Sequence, residues 1–202
     1  MHGDILVFFR SFLKNFSKYS EISGVNEILR RYFVMNAFDG ALTTLGIIMG
    51  AYLAGVIDPF IIIKAGMGAG LAMGISGAWG AYMAERAERS RNMKELENAI
   101  FSNLEGTMID KASKTAVVSV ALVDGVSPLI ATFIAILPFF LAVYSYISIF
   151  VSIALSIVII MCMLFSLGAF LSKVAGGRII FNGAIMVLAG IVTLFLCFFL
   201  IF

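Results

Sequence analysis

The run from Thr115 to Ser172 decides the fold of this chain. It reads TAVVSVALVDGVSPLIATFIAILPFFLAVYSYISIFVSIALSIVIIMCMLFSLGAFLS, and its only charged residue is Asp124. A membrane-spanning helix needs roughly 20 apolar residues, so these 58 residues are too many for one span and suit two. Tyr144 and Tyr146 suit a membrane–water interface, and we place the break between the two spans there. The run therefore predicts transmembrane helices at about 115–143 and 147–172.

The rest of the chain is also rich in apolar residues and poor in charged ones. Of its 202 residues, 61% are hydrophobic and 13% are charged, whereas soluble domains are roughly 45–50% apolar and 25% charged. Further apolar stretches lie at 32–53, 59–84 and 179–202, separated by charged segments or by turn residues such as Gly55 and Pro59. The sequence predicts an all-α membrane protein with five transmembrane helices. It would lie in the lipid bilayer as a multi-pass protein of the cell membrane, or of a vacuole-type membrane in a eukaryote.

Charge, cysteine and histidine content exclude several classes of function. A net charge of +2 is too small to indicate a nucleic-acid partner. The two cysteines, Cys162 and Cys197, lie inside apolar runs, which excludes a disulfide framework and a CxxC pair. The only histidine is His2, so no histidine-based catalytic or metal site is available. We expect no bound cofactor.

The distribution of basic residues among the loops predicts the orientation of the chain in the membrane. Thirteen of the 14 lysines and arginines lie before the first span, between the second and third, or between the fourth and fifth. The remaining one, Lys64, lies near the end of a span and can reach the interface. The positive-inside rule therefore places the N-terminus in the cytoplasm and the C-terminus outside. The predicted organisation is a cytoplasmic segment at 1–31, helices one and two at 32–84, a cytoplasmic helical segment at 85–114, and helices three to five at 115–202.

Two amphipathic helices are predicted on the cytoplasmic side. Residues 1–17 carry apolar side chains at helical spacing, with Arg10 and Lys14 on the other face, as in a helix that lies on a membrane surface. The apolar residues in question are Ile5, Phe8, Phe9, Phe12, Leu13 and Phe16. A second apolar face, with Met93, Leu96 and Ile100, lies in the segment 85–114, and the pair at 105–106 is predicted to end that helix.

Two aspartates lie inside predicted spans. An ionisable residue there costs roughly 2.5–3.5 kcal/mol and is a functional candidate by default. Asp39 follows Arg31 by eight residues and Asp124 follows Lys114 by ten, which places them roughly 12 and 15 Å along their helices. Both therefore lie at a similar depth, well inside the membrane.

Polar groups accompany both aspartates. The helix face that carries Asp39 also bears an amide, a hydroxyl and a thioether, from Asn36, Thr43 and Met35. Pro128 has no N–H to donate to the carbonyl of Asp124, so the usual helical hydrogen bond between these two residues is not made, and a backbone oxygen lies beside the carboxylate. Oxygen donors suit divalent cations, and a thioether shifts the preference towards transition metals. The alternative is that each aspartate is structural and bonds to a neighbouring helix.

A short repeat links the two aspartates. Phe38-Asp39-Gly40 recurs as Val123-Asp124-Gly125, and Gly80 to Ala84 is echoed by Gly168 to Ser172. A true repeat would relate the first two spans to the third and fourth about an axis along the membrane normal.

These residues resemble the vacuolar iron transporter family of Fe²⁺ and Mn²⁺ carriers. The matching stretches are Asn36-Ala37-Phe38-Asp39-Gly40, the glycine-rich segment 65–84, Ile136-Leu137-Pro138-Phe139, and residues 165–178 followed by an apolar last span. The resemblance implies a homodimer with the ion path at its interface. It also implies export of Fe²⁺ or Mn²⁺ from the cytoplasm in exchange for protons, with the metal as substrate.

The chain departs from the family pattern in two places. A characteristic methionine of the family falls on Gly77 and a frequent glutamate falls on Ala81, so Met73, one turn earlier, is a candidate replacement ligand. The family's glutamate-rich cytoplasmic domain is reduced to residues 85–114, where Glu85 and Glu88 are the candidates for metal capture. Glu85 is equally well spaced for an ion pair with Arg89.

Two other functions compete with transport. An intramembrane aspartyl protease also needs two membrane aspartates, but such proteases resemble one another in a glycine two residues before the second aspartate, where this chain has Leu122. Their catalytic helices also run antiparallel, whereas the spans of Asp39 and Asp124 enter from the same side. A membrane scaffold that transports nothing would leave both aspartates unexplained.

Overall fold

Five helices form the part of the chain that the structure describes. The computed structural model describes residues 25–199. Its helices are α1 (Val25–Leu53), α2 (Pro59–Ile100), α3 (Met108–Val143), α4 (Ile149–Ala175) and α5 (Ile179–Phe199). Each is long and apolar enough to cross a membrane, and no strand occurs among the described residues. The predicted all-α fold with five spans is confirmed. The predicted N-terminal amphipathic helix at 1–17 lies outside the described residues.

Short turns separate α1 from α2, α3 from α4 and α4 from α5. Between α1 and α2, Gly55 adopts a positive φ of 73°. The Asp58 carboxylate then accepts the Phe60 N–H at 2.9 Å, which caps α2 at its first turn. The break between α3 and α4 lies at 144–148, at the predicted aromatic pair. Gly176, with φ 67°, ends α4 in the left-handed conformation that favours glycine.

The helix α2 is longer than the second predicted span. It has 42 residues, or roughly 60 Å at 1.5 Å per residue, and it continues without interruption beyond Ala84 to Ile100. Residues 85–100 are mostly good helix formers. The ion pairs Glu85–Arg89 and Arg91–Glu95 add i,i+4 support. The second amphipathic helix is therefore an extension of α2, and the turn lies at 101–107.

The start of α3 is held by a local network. The Asp110 carboxylate accepts the Gly106 N–H at 3.0 Å and the Lys114 ammonium at 2.9 Å. The Thr107 hydroxyl accepts the Asp110 N–H at 3.4 Å. Hydrogen bonds from Lys114 and Gly106 lower the pKa of the Asp110 carboxyl.

The chain divides into two compact units. The first holds residues up to Phe33 together with Ser76–Asp124, and the second holds Val34–Ile75 together with the chain from Gly125 onward. The first has a small core of four buried residues, which are Val25, Ala81, Ala116 and Val120. The second has the larger core, whose bulkiest buried members are Leu45, Ile48, Ile62, Ile136, Phe139, Ile160 and Leu164.

Glycines bring α4 and α5 together within the second unit. A Cβ on Gly168 would lie 2.5 Å from the carbonyl oxygen of Asn182, and one on Gly183 would lie 2.6 Å from the ring of Phe165. Only residues without a side chain permit this approach, which is typical of membrane helix pairs.

Candidate metal-ion site

Asp39 lies on the outer face of α1 in the second unit. Ala41, Leu45 and Ile48 are buried on the opposite face of the helix, whereas the side chain of Asp39 is exposed. Thr43 and Met35 are also exposed, the latter to 54%, and the other member of the predicted polar face, Asn36, is half-buried. A carboxylate on this surface would face lipid in a lone protomer, which is costly.

The opposite side of α1 is fixed against α3 directly behind Asp39. A Cβ on Gly40 would lie 2.7 Å from both the Cα and the carbonyl oxygen of Pro128, so only glycine fits there. One turn further on, the buried Thr44 hydroxyl donates to the Gly40 carbonyl at 2.7 Å and lies 3.1 Å from the hydroxyl of Thr132. These contacts set the rotation of α1 and keep Asp39 facing outward.

Asp124 has the opposite environment, in the first unit. It is only 5% exposed, and its carboxylate packs against the bare face of Gly77. A Cβ on Gly77 would lie 2.8 Å from Asp124 Oδ2 and 3.3 Å from its main-chain oxygen. Tyr32 lies close enough to interact electrostatically with both Asp124 and Glu85. Asp124 therefore belongs to a buried polar group, whereas Asp39 belongs to an exposed surface.

The predicted capture residues lie on the extension of α2. The Nε of Arg89 donates to Glu85 Oε2 at 3.2 Å, and both side chains are largely buried. Glu88 is exposed. Glu85 and Arg89 therefore form the ion pair that their spacing allows. Of the two candidates for metal capture, Glu85 is thus already paired.

A groove of about 720 Å³ runs beside this segment, between α2 and the start of α3. Basic and acidic side chains both line it, including Arg86, Lys94, Glu97 and Glu105. Because side chains of both signs line it, the groove has no charge preference that would select a cation.

The candidate ligands divide between the two units. Asn36, Asp39, Thr43 and the half-buried Met73 belong to the second unit, and Glu85, Glu88 and Asp124 belong to the first. Among residues 25–199, no three carboxylate, cysteine or histidine side chains come together as a metal site.

Sequence reasoning missed several members of the site. Tyr32 was predicted only as the start of a span, and the Thr44–Thr132 pair was not predicted at all. Thr44 had a usable signal, because a hydroxyl inside a helix commonly bonds to the carbonyl four residues earlier. The contact of Asp124 with Gly77 had no signal in the sequence, because it joins two helix segments that are distant along the chain.

Together, five apolar helices and the two carboxylates in their predicted membrane-spanning stretches define a multi-pass membrane protein with charge-bearing spans. The pattern of the VIT family matches residues 30–105. An uncharacterized protein from Methanocaldococcus jannaschii is 33% identical over 171 residues, which cover 83% of this chain and 86% of that protein. No solved structure matches the chain.

The chain belongs to the VIT family, so the predicted resemblance is confirmed. Membership implies transport of metal ions across a membrane. It is also consistent with the prediction that the protein is not an enzyme, and it gives the protease alternative no support.

Proposed function

We propose that the protein is a homodimeric carrier of the cell membrane that exports Fe²⁺ or Mn²⁺ from the cytoplasm in exchange for protons. One observation carries the proposal, namely the exposed carboxylate of Asp39 on a membrane-spanning helix. A carboxylate at this depth has to be protonated, paired or bound to a cation. The transported metal is the cargo, and the proposal needs no resident cofactor.

A second copy of the chain is the partner that best suits the exposed face of α1, which carries Asp39. Gly46 and Gly50 follow Asp39 on the same face at helical spacing, and a Cβ on either would meet nothing within 4 Å in the protomer. A Gly-x-x-x-Gly pair lets two membrane helices approach closely. A twofold axis there would bring α1 against the α1 of the partner. Both copies of Asp39 would then face the same axis.

Two copies of this face would supply the donors that one protomer lacks. Carboxylate, hydroxyl and amide oxygens with a thioether suit first-row divalent cations. Since Asp39 binds either a proton or a cation, alternation between the two couples metal movement to proton movement in the opposite direction. In the first unit, we propose that Asp124 is a further acid that acts on the metal and that Glu85 and Glu88 capture it from the cytoplasm.

Metal uptake into proteoliposomes, measured one ion at a time under a pH gradient, tests the proposal. The wild-type protein should transport Fe²⁺ or Mn²⁺, and Asp39→Asn should lose transport while remaining folded. Glu95→Gln removes an acid of the solvent-exposed Arg91–Glu95 pair and serves as the control. Wild-type rates in Asp39→Asn would refute the assignment of Asp39 to the ion path.

A further inference from the structure

The groove between α2 and the start of α3 has a basic end at the predicted cytoplasmic surface of the membrane. All of its lining residues belong to the first unit. Arg86 lies just beyond the apolar part of α2, which ends at Ala84, and Lys114 immediately precedes the apolar run of α3. Both side chains are exposed and both line the groove. Cations from two helices therefore meet at the level where lipid headgroups lie.

Two acidic residues of the groove lie at its other end. Glu97 follows Arg86 by 11 residues, or roughly 16 Å along α2. Its carboxylate accepts the Leu104 N–H at 2.9 Å, so it is held against the turn that joins α2 to α3. Glu105 lies in the same turn. The positive and negative charges of the groove are thus separated along its length.

The membrane end keeps an excess of positive charge after its ion pairs are counted. Arg89 is paired with Glu85, and Lys114 is paired with Asp110. Arg86 belongs to no ion pair within residues 25–199. Lys114 is still 73% exposed, and an ammonium group has three N–H donors. Arg86 and Lys114 can therefore both bind an anion.

The groove also has an apolar part next to these cations. Val117 and Val118, about one turn further into the membrane along α3, line it together with Tyr82 of α2. Val118 is 47% exposed and lies within the apolar run, so the groove opens towards the lipid. A free phosphate would need only the cations, whereas a phospholipid joins a phosphate to acyl chains and matches both parts.

We propose that this end of the groove binds the headgroup of an anionic phospholipid from the cytoplasmic leaflet, with its phosphate between Arg86 and Lys114. Basic pockets between membrane helices on the cytoplasmic side suit such headgroups. Arg86 is the principal contact, because a guanidinium group can bind a phosphate through two parallel hydrogen bonds. The lipid bridges α2 and α3 in the unit with the smaller core. This binding requires no metal transport, so its test is independent of the proposed function.

Native mass spectrometry of the full-length protein in detergent tests the proposal, with phosphatidylglycerol and phosphatidylcholine of identical acyl chains as probes. The wild-type protein should retain phosphatidylglycerol in preference. Arg86→Gln should weaken its binding roughly fivefold, which corresponds to about 1 kcal/mol per basic residue. Arg91→Gln is the matched control, because Arg91 is an exposed arginine of α2 that is paired with Glu95 and does not line the groove. It should keep the wild-type affinity.

Equal affinities in Arg86→Gln and the wild-type protein would overturn the proposal. Equal losses in the Arg86 and Arg91 variants would also overturn it, because they would indicate attraction to the whole basic surface. Since Arg86 is exposed, its replacement leaves the packed core intact.

Hydrogen exchange locates the lipid and separates it from a soluble phosphate. Phosphatidylglycerol should slow exchange in segments 82–90 and 113–118 of the wild-type protein, and not in Arg86→Gln. Glycerol 3-phosphate carries the same phosphate without acyl chains, and it should neither slow exchange there nor displace the lipid. If it does either as well as phosphatidylglycerol, the assignment to a lipid is wrong. Slower exchange only in other segments would contradict the assignment to this groove.

Discussion

Substitution of Gly40 by alanine tests the contact that holds α1 in place behind Asp39. The added Cβ would lie 2.7 Å from two backbone atoms of Pro128, the Cα and the carbonyl oxygen, and 3.1 Å from the carbonyl carbon. Backbone atoms inside a helix cannot rotate away as a side chain can. The methyl group therefore has to be accommodated by separating α1 from α3.

The expected cost has two opposing parts. Overpacking a close contact destabilises by about 1–3 kcal/mol, whereas glycine to alanine inside a helix stabilises by about 1 kcal/mol through helix propensity. Gly68→Ala provides the reference, because Gly68 lies inside α2 and a Cβ there meets nothing within 4 Å. The difference in unfolding free energy between the two variants removes the propensity contribution and should equal the packing cost of about 1–3 kcal/mol.

Equilibrium unfolding in mixed detergent micelles with increasing SDS gives this difference. Gly40→Ala should unfold at a lower SDS fraction than the wild-type protein, and Gly68→Ala at the same or a higher one. Gly40→Ala should also lose transport, because a shift of α1 moves Asp39. Equal stability of the two variants would refute the close packing of α1 on Pro128.

Three further predictions follow from other parts of the chain. Thr43→Cys should form a disulfide between two copies under mild oxidation in native membranes, whereas Cys162 should not, and a monomeric product from both would contradict the α1 interface. A cysteine at Asp58 should react with an impermeant thiol reagent only from outside the cell, and labelling from the cytoplasmic side would reverse the topology. The pKa of Asp110 is lowered by Lys114 and the Gly106 N–H. Its contribution to stability is therefore complete above the ordinary carboxyl pKa of about 3.9 and lost as pH falls through the lower folded value. The protection of the Gly106 amide from hydrogen exchange, taken relative to its intrinsic rate at each pH, should fall over that acidic range and not at neutral pH, and Asp110→Asn should abolish the dependence.

Most of the fold could be predicted because it follows from local sequence features. The apolar lengths determine the number of spans. Pro59 marks a turn because proline fixes its own φ, and Gly176 marks one because glycine readily adopts the positive φ that ends α4. The end of α2 was less predictable, since charged residues such as Glu85 and Arg89 are compatible with both a membrane boundary and a continuing helix. Whether the helix stops there depends on a helix-breaking residue, and residues 85–100 contain none.

The candidate site was predictable only in part. Asp39 and Asp124 stand out because charge is rare in these spans, but the sequence gives them similar depth and therefore similar roles. Asp39 is exposed and Asp124 is buried because different faces of their helices pack against neighbouring helices. The fit of Gly40 against Pro128 determines which face of α1 is packed, and the bare face of Gly77 gives the Asp124 side chain a buried position. Both are contacts between distant segments.

Transport by mixed dimers tests most directly the claim that two copies of Asp39 share one ion path. Wild-type and Asp39→Asn chains with different tags can be co-expressed, and dimers that contain one of each can be isolated by two affinity steps and reconstituted. A shared path predicts that these mixed dimers transport Mn²⁺ as poorly as dimers of Asp39→Asn alone. Half the wild-type rate would contradict the account, because it would mean that each protomer has its own path.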